Sequence, residues 1–288
     1  LSNNYNVFVG KDAGASNTTG LVNTAIGSSA LELNTTGYYN TANGNQALWS
    51  NTSGSSNTAN GNYALRYNTT GYSNTANGNG ALYSNTTGWN NTANGKNALR
   101  SNTTGYSNVA MGVHALYANT DRSNLVAIGD SALYNNGVGA TVALHASENT
   151  AVGSKALYDN NIGYQNTAVG FEALNSNAAG YYNTAVGRRA LYNSTGWMNS
   201  AFGTDALYNN QSHANTAIGG AALFTNISGV GNVAVGLQSL SYSLGSANIG
   251  LGYQAGDNLT TGDNNIFIGY DIDAPVATGS NQMSIGNL

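Results

Sequence analysis

The side chains that could do acid–base or metal chemistry are few and widely scattered in this sequence. The three histidines are His114, His145 and His213, and only 12 acidic residues are spread over 288 positions. Catalytic triads and paired acids need their groups within hydrogen-bond reach of one another, and no spacing here predicts that. The letters of Gly250–Ala255 fit a dinucleotide fingerprint, but the strand, helix and downstream acid of that motif are missing. We therefore expect no enzymatic activity and no cofactor.

Two carboxylates near the end of the chain are weak candidates for a metal site. Asp271 and Asp273 are separated by one residue, so an extended backbone would place both on one face, where they could hold calcium. A solvated terminal loop explains them equally well. Residues 190 to 288 contain acids but no Lys or Arg.

Aromatic residues that recur at a fixed spacing are the best candidates for ligand contact. Exposed rings beside amides suit sugars, because the ring covers an apolar sugar face and the amides meet hydroxyls. The alternative is a structural ladder in which each ring covers its neighbour. One column contains Tyr38, Tyr72, Trp89, Tyr106, Tyr164, Tyr181 and Trp197. The other contains Trp49, Tyr83, Tyr117, Tyr134, Tyr158, Tyr192, Tyr208 and Phe224.

A short repeat positions these columns. An Asn-Thr-Ala-x-Gly phrase recurs with a 17-residue step of its glycine from Gly10 to Gly129, and with a 16- or 17-residue step from Gly153 to Gly286. A second glycine closes an Asn-Thr-Thr-Gly phrase in many repeats. Two turn signals per repeat predict two short extended stretches, one over residues 23–26 and one around Ala30 and Leu31. The chain is therefore predicted to be all-β, a parallel β-solenoid of about 17-residue coils.

The repeat also suggests how the chain is organised. Residues 1–129 are predicted to form regular coils and residues 130–152 an irregular or inserted coil, in which Val142, Ala143 and Leu144 look like a degenerate phrase. Coils with a 16- or 17-residue step follow over residues 153–252. Residues 253–288 form acidic terminal coils.

Composition agrees with stacked coils. Only 7% of residues are charged, and a column of like charges repeated every ~4.8 Å would repel, whereas Asn, Thr and Tyr columns bond or stack. Eight Lys and Arg against 12 acids make nucleic acid an unfavourable partner. No cysteine is present, and no apolar run reaches the roughly 20 residues of a membrane helix. We also expect no secretory leader in the polar segment that begins at Leu1.

Period-two alternation predicts which side of each strand is buried. Ala25 and its equivalents point inward with the Leu31 column, while the residues on either side of Ala25 point outward. An outward apolar column on identical chains favours a symmetric assembly, and we interpret it as a homotrimer axis in which four Asn layers set the register. The alternative is that these Asn face water. The column contains Ile26, Asn43, Asn60, Asn77, Asn94, Met111, Ile128, Val152, Val169, Val186, Phe202, Ile218 and Val235.

The repeated phrases resemble a known family. Asn-Thr-Ala-Val-Gly at 149–153, 166–170 and 183–187 is similar to the coils of YadA-like heads in trimeric autotransporter adhesins, and to longer coils of phage tail-fibre-like surface proteins. This resemblance implies a left-handed β-roll, a homotrimeric rod and a role in attachment. The coil here is longer than in the adhesin head. Residues 264–269 and 281–288 resemble the segment that leads into a C-terminal chaperone domain, and we expect no such domain within residues 1–288 themselves.

The sequence therefore predicts an extracellular, cell-surface or virion fibre that acts as an adhesin or shaft, with itself and a host-surface glycan or protein receptor as partners. One alternative is an ice-binding solenoid, with Thr24, Thr41, Thr58, Thr75 and Thr92 on a flat face; another is a self-assembling extracellular filament. Glycosylation sequons recur with the same step, although turn chemistry also explains them. They begin at Asn17, Asn34, Asn51, Asn68, Asn85 and Asn102.

Overall fold

The computed structural model describes residues 5–286, and over that range the protein is all-β and contains no helix. It is a parallel β-solenoid of about 16 turns with ~17-residue coils, as the repeat predicts. The chain forms two compact units, Leu1–Ala143 and Leu144–Leu288. The first four residues of the predicted 1–129 segment and the last two of 253–288 lie outside the described range.

The first unit carries eight three-residue strands in its described part. Each strand pairs in parallel with the next, and each residue lies beside its equivalent in the following coil, for example Thr24 beside Thr41. The strands are β1 Val7–Val9, β2 Thr24–Ile26, β3 Thr41–Asn43, β4 Thr58–Asn60, β5 Thr75–Asn77, β6 Thr92–Asn94, β7 Val109–Met111 and β8 Val126–Ile128.

The second unit repeats this arrangement and adds a small second sheet. Nine strands pair in parallel, in register: β9 Thr150–Val152, β10 Thr167–Val169, β11 Thr184–Val186, β13 Ser200–Phe202, β15 Thr216–Ile218, β17 Val233–Val235, β18 Ile249–Leu251, β19 Ile266–Ile268 and β20 Met283–Ile285. Three two-residue strands form the other sheet: β12 Asn193–Ser194, β14 Asn209–Asn210 and β16 Thr225–Asn226.

The interior is built from small and branched apolar residues. Ala25, Ala30 and Leu31 and their equivalents in nearly every coil are fully buried. The central residue of each regular strand points inward, whereas its two neighbours are partly or fully exposed. The predicted alternation is therefore confirmed, and it follows from the two-residue period of a strand.

The second predicted extended stretch is wrong for most coils. Residues 28–33, around Ala30 and Leu31, form turns, and two-residue strands near the equivalent position occur only in β12, β14 and β16 among residues 5–286. The reason is backbone handedness, because Leu31 has φ +52° and Ser29 has φ +54°. These left-handed residues bend the chain back on itself. Coil-to-coil hydrogen bonds nevertheless continue, as from Leu31 N to Ala47 O at 3.0 Å.

The two glycine columns are needed for different reasons. Gly61 has φ +139°, a conformation that L side chains rarely adopt. Gly71 lacks a positive φ, but a Cβ there would collide with Asn68 Oδ1 and with the carbonyl oxygen of Gly88. One glycine therefore sets the turn and the other lets successive coils approach closely.

The irregular segment contains no strand between Ile128 and Thr150. Residues 131–139 form consecutive turns, and the expected degenerate phrase at 142–144 is a bend and turn with exposed side chains. The Arg122 guanidinium donates hydrogen bonds to the carbonyl oxygens of Ala140, Val142 and Ala143. One arginine therefore ties this part of the segment to the preceding coil.

Candidate functional site

Two ladders of buried asparagine amides run through the interior. In the first, Asn51 Nδ2 donates to Asn34 Oδ1 at 2.7 Å and to the carbonyl oxygen of Gly54 at 2.9 Å. The same pair of bonds recurs at Asn68, where the distances are 2.8 and 2.9 Å. Each Nδ2 therefore donates one hydrogen bond to a turn carbonyl oxygen of its own coil and one to the asparagine Oδ1 of the coil before.

The second ladder starts from the asparagine that precedes each Thr-Ala-x-Gly phrase. Asn57 donates twice to the coil before, since its backbone N and its Nδ2 both bond Asn40 Oδ1, at 3.0 and 3.2 Å. Its Nδ2 also donates to the carbonyl oxygen of Gly71 at 2.9 Å. Buried amides are stable only when paired in this way. The sequence shows the 17-residue recurrence of these Asn, but turn chemistry also accounts for it.

These ladders account for the sequons. Asn34, Asn51, Asn68, Asn85 and Asn102 are fully buried in the folded chain, so their amides are not accessible to a modifying enzyme. Asn17 is only partly buried. Interior hydrogen bonding, in addition to turn formation, explains why these positions repeat.

The predicted axis column lies on the outward face of the strands. In the first unit the register places Ile26, Asn43, Asn60, Asn77, Asn94, Met111 and Ile128 side by side, and in the second unit Val152, Val169, Val186, Phe202, Ile218 and Val235. Ile26 and Ile218 are each 44% exposed and Phe202 40%. The described chain therefore presents a continuous apolar stripe to solvent in the second unit, and a stripe interrupted by asparagine in the first.

The first aromatic column is a set of stacked rings. In the first unit Tyr72, Trp89 and Tyr106 stack with centroid separations of 5.7 and 4.7 Å and nearly parallel planes. In the second unit the stack runs Tyr164, Tyr181, Trp197 and His213, with separations of 4.9, 5.7 and 4.4 Å. Tyr38, Tyr72 and Tyr106 are exposed, so rings that cover one another still present edges to solvent.

The second column also contains stacked rings in both units. Rings stack directly at Tyr117 and Tyr134, at 5.0 Å, and at Tyr192, Tyr208 and Phe224, at 5.1 Å for each pair. Tyr158 is partly buried.

Between Trp49 and Tyr83 the column carries an arginine instead of a ring. The Arg66 guanidinium carbon lies 5.3 Å from the Trp49 ring centroid and 5.8 Å from that of Tyr83. Its Nη1 donates to the Tyr83 hydroxyl at 2.8 Å, and the Arg100 guanidinium carbon lies 4.8 Å from the same ring centroid. Sequence reasoning identified the rings of this column and missed the intervening cations, although both share one 17-residue step.

The weak metal candidates Asp271 and Asp273 lie near a third acid, Asp257. No group of three or more His, Cys, Asp or Glu suited to a metal ion occurs among residues 5–286. Burial, and the charges of Asp273 and Asp271, raise the pKa of the Asp257 carboxyl. Asp271 and Asp273 themselves are exposed, beyond the end of β19.

One close ion pair lies on the second unit. Arg189 Nε lies 2.8 Å from Asp205 Oδ1, and its Nη2 donates to Asp205 Oδ2 at 2.9 Å. This bond raises the pKa of Arg189 further above neutrality. The pair joins successive coils, which indicates a structural role.

No helix long and apolar enough to cross a membrane occurs in the described range. No protein-family model matches the chain, and no curated protein is similar to it at a significant level. The resemblance to YadA-like repeats therefore rests on the repeated phrases themselves.

Proposed function

We propose that this protein is a non-enzymatic fibrous attachment protein of an extracellular, cell or virion surface, and that three chains associate through the outward faces of their strands. The observation that carries the proposal is the exposed apolar column, which includes Phe202, Ile218 and Val235. Contiguous apolar surface of this kind is typical of interaction sites. A column presented identically by identical chains favours closed symmetry.

The asparagine layers fit the same assembly. Asn60 Nδ2 donates to Asn77 Oδ1 at 3.0 Å, so these two outward amides are partly satisfied within the chain. The remaining donors and acceptors would pair between chains at a shared axis. Polar layers in an otherwise apolar interface fix register at a cost in stability, which supports a role for Asn43 to Asn94 in aligning three identical chains.

Attachment through glycans is supported by the aromatic columns. The Tyr72 and Tyr106 rings are exposed and stack on Trp89 between them, and exposed aromatic rings suit carbohydrate faces. The same rings also stabilise the solenoid by stacking. A structural role and a ligand-binding role are compatible on one surface.

Sedimentation equilibrium tests the assembly. We expect a particle of about three times the chain mass of 29.5 kDa, and dissociation by Ile218→Asp, because a carboxylate would be buried without a partner at the axis. The matched control is Val138→Asp, which alters a similarly exposed apolar residue outside the strands. A wild-type protein that remains a monomer at micromolar concentration would overturn the proposed trimer.

Ice binding is the second candidate, and one observation favours it. Thr24, Thr41, Thr58, Thr75 and Thr92 lie side by side, in register, on the outward face of the first unit. A trimer axis would cover that face. If the protein is a monomer and its solution shows thermal hysteresis, ice binding is the function. A trimer whose solution shows no thermal hysteresis supports attachment. Electron microscopy of the same sample distinguishes discrete particles from end-to-end filaments.

A further inference from the structure

A notch opens in the second unit where two successive coils are each one residue shorter. The repeat glycines Gly187, Gly203 and Gly219 follow one another with a 16-residue step instead of a 17-residue step. In both coils the missing residue belongs to the loop after the buried asparagine position. Gly196 is the second residue after Ser194, for example, whereas Gly180 is the third after Asn177. The loops immediately before and after keep their full length, and a recess lies over the two adjacent shortened loops.

The recess has the dimensions and lining of a small ligand site. Its volume is about 360 Å³, and its walls come from four successive coils. Ser176 contributes from the preceding full-length coil, and Ile227, 49% exposed, from the following one. Four coils at about 4.8 Å give a length of ~14 Å from the first to the last. Volumes near 300 Å³ mark the lower end of ordinary ligand pockets.

The lining between these walls consists of amides and hydroxyls. Asn193, Thr195, Asn209 and Gln211 supply them, and none of the lining residues is ionisable. Asn193 Nδ2 donates to Asn209 Oδ1 at 3.0 Å, which holds two of the amides in fixed orientation. Fixed, uncharged donors and acceptors with one apolar wall suit a ligand that carries many hydroxyl groups and no charge.

Stacked aromatic rings flank the notch residues in sequence but do not line the recess. Tyr192 immediately precedes Asn193, and it stacks on Tyr208 at 5.1 Å. Trp197 follows Gly196 and stacks on His213 at 4.4 Å. Within the recess itself, the apolar contact comes from Ile227.

The notch does not use the surface that the proposed trimer would bury. Its residues Asn193 and Asn209 belong to the three-stranded sheet of β12, β14 and β16, whereas Phe202 and Ile218 belong to the separate sheet of regular strands. Fully buried Ala201 and Leu191 fill the interior of these coils. Association through the regular strands therefore leaves the notch open.

From this geometry we propose that the notch binds a short neutral oligosaccharide, a step that rests on the proposed attachment function and names its ligand class. The amides of Asn193 and Gln211 bond sugar hydroxyls, and Ile227 covers an apolar ring face. Charged sugars are disfavoured, since no lining side chain compensates a carboxylate or sulfate.

The test uses the full chain on a microarray of neutral, sialylated and sulfated oligosaccharides. We expect binding to neutral members, and a loss of about tenfold or more in apparent affinity for Asn193→Ala and for Gln211→Ala. A third variant inserts one threonine after Thr195 and one after Gln211, which restores two full-length loops and fills the notch. The matched control, Asn79→Ala, removes an exposed amide from the first unit. Thermal denaturation of every variant confirms that the fold is retained.

The outcomes separate the notch from the attachment function. Weakened binding by the alanine variants, with unchanged binding by the control and unchanged thermal midpoints, supports the notch. Undiminished glycan binding by the notch variants overturns it while leaving attachment through glycans in place. Binding restricted to acidic glycans also overturns the inference. So does a trimer that binds no glycan on the array, although the proposed trimeric assembly would then still hold.

Discussion

Truncation of Asn68 to alanine removes one rung from a buried amide ladder and tests whether these ladders hold the coils together. Asn68 makes three side-chain hydrogen bonds. Its Nδ2 donates to Asn51 Oδ1 at 2.8 Å and to the Gly71 carbonyl oxygen at 2.9 Å, and its Oδ1 accepts from Asn85 Nδ2 at 2.8 Å. The variant therefore disturbs the coils on both sides of its own.

The expected cost follows from the groups left without partners. The Gly71 carbonyl keeps a bond from Asn57 Nδ2 at 2.9 Å. Asn51 Oδ1 and one N–H of Asn85 lose theirs in a fully buried environment. Each unsatisfied buried group costs about 1–3 kcal/mol, so we expect Asn68→Ala to lower the free energy of unfolding by about 2–6 kcal/mol.

Hydrogen exchange monitored by mass spectrometry is the suitable assay, because stability in a solenoid is largely local. Faster exchange is expected in the coils around residue 68, at a fixed protein concentration so that any assembly is held constant. Asn79→Ala is the control, since Asn79 is exposed and its truncation should change stability by no more than about 0.5 kcal/mol. Equal effects of the two variants would refute the view that the buried amides stabilise the fold.

Three further predictions test other elements of the fold. Ser194→Asn supplies the rung whose absence leaves Asn177 Oδ1 buried without a partner, so thermal denaturation should show a gain of about 1–3 kcal/mol, and a loss would contradict the ladder geometry. Gly61→Ala should destabilise by at least about 2 kcal/mol in chemical denaturation, because φ is +139° and a Cβ would lie 2.6 Å from the Gly78 carbonyl oxygen. Burial and nearby carboxylates raise the pKa of the Asp257 carboxyl in the folded state. Protonation of Asp257 therefore stabilises the folded state at low pH, and this stabilisation is lost as the pH rises through the raised pKa. Asp257→Asn should raise the thermal midpoint at neutral pH and leave it unchanged below about pH 3.

The strand register and the interior were accessible from sequence because one constraint repeats in every coil. Alternation places Ala25 inside and Thr24 and Ile26 outside, and a step of 16 or 17 residues superposes each on its equivalent. The glycine at the end of each phrase then marks where the strand must stop.

The turns around Leu31 could not be read in the same way. Leucine rarely adopts the left-handed conformation, so the Ala-Leu pair does not predict the φ of +52° at Leu31. Burial of the Leu31 side chain stabilises the left-handed backbone conformation. Local sequence propensity alone disfavours that conformation and so does not predict it. The Asn34 ladder was overlooked for a related reason, since Asn-Thr-Thr-Gly satisfies turn preferences within one coil and its bond to the next coil becomes evident only when coils are stacked.

In the sequence, the notch was visible only as a change in the spacing between repeat glycines. The shorter 16-residue steps after Gly187 and Gly203 were apparent, but the position of the missing residue within the coil determines whether the strand face or a loop is affected. The strands on either side remain in register, Val186 beside Phe202 and Phe202 beside Ile218, so the loop absorbs both deletions. A recess therefore forms on the surface and the interior is left intact.

Ionic and aromatic residues alternate in the column that follows the buried leucine. Glu32, Trp49, Arg66, Tyr83 and Arg100 occupy successive coils, so the ionic side chains are two coils apart and an aromatic ring separates each from the next. Two coils correspond to about 9.6 Å, at which two guanidinium groups repel half as strongly as they would in adjacent coils. The intervening ring is also attractive to a cation, as the 4.8 Å approach of Arg100 to the Tyr83 ring indicates. Alternation thus allows ionic residues into a column that could not hold them in every coil, and it explains why a chain with only 7% charged residues can still place two arginines on one surface.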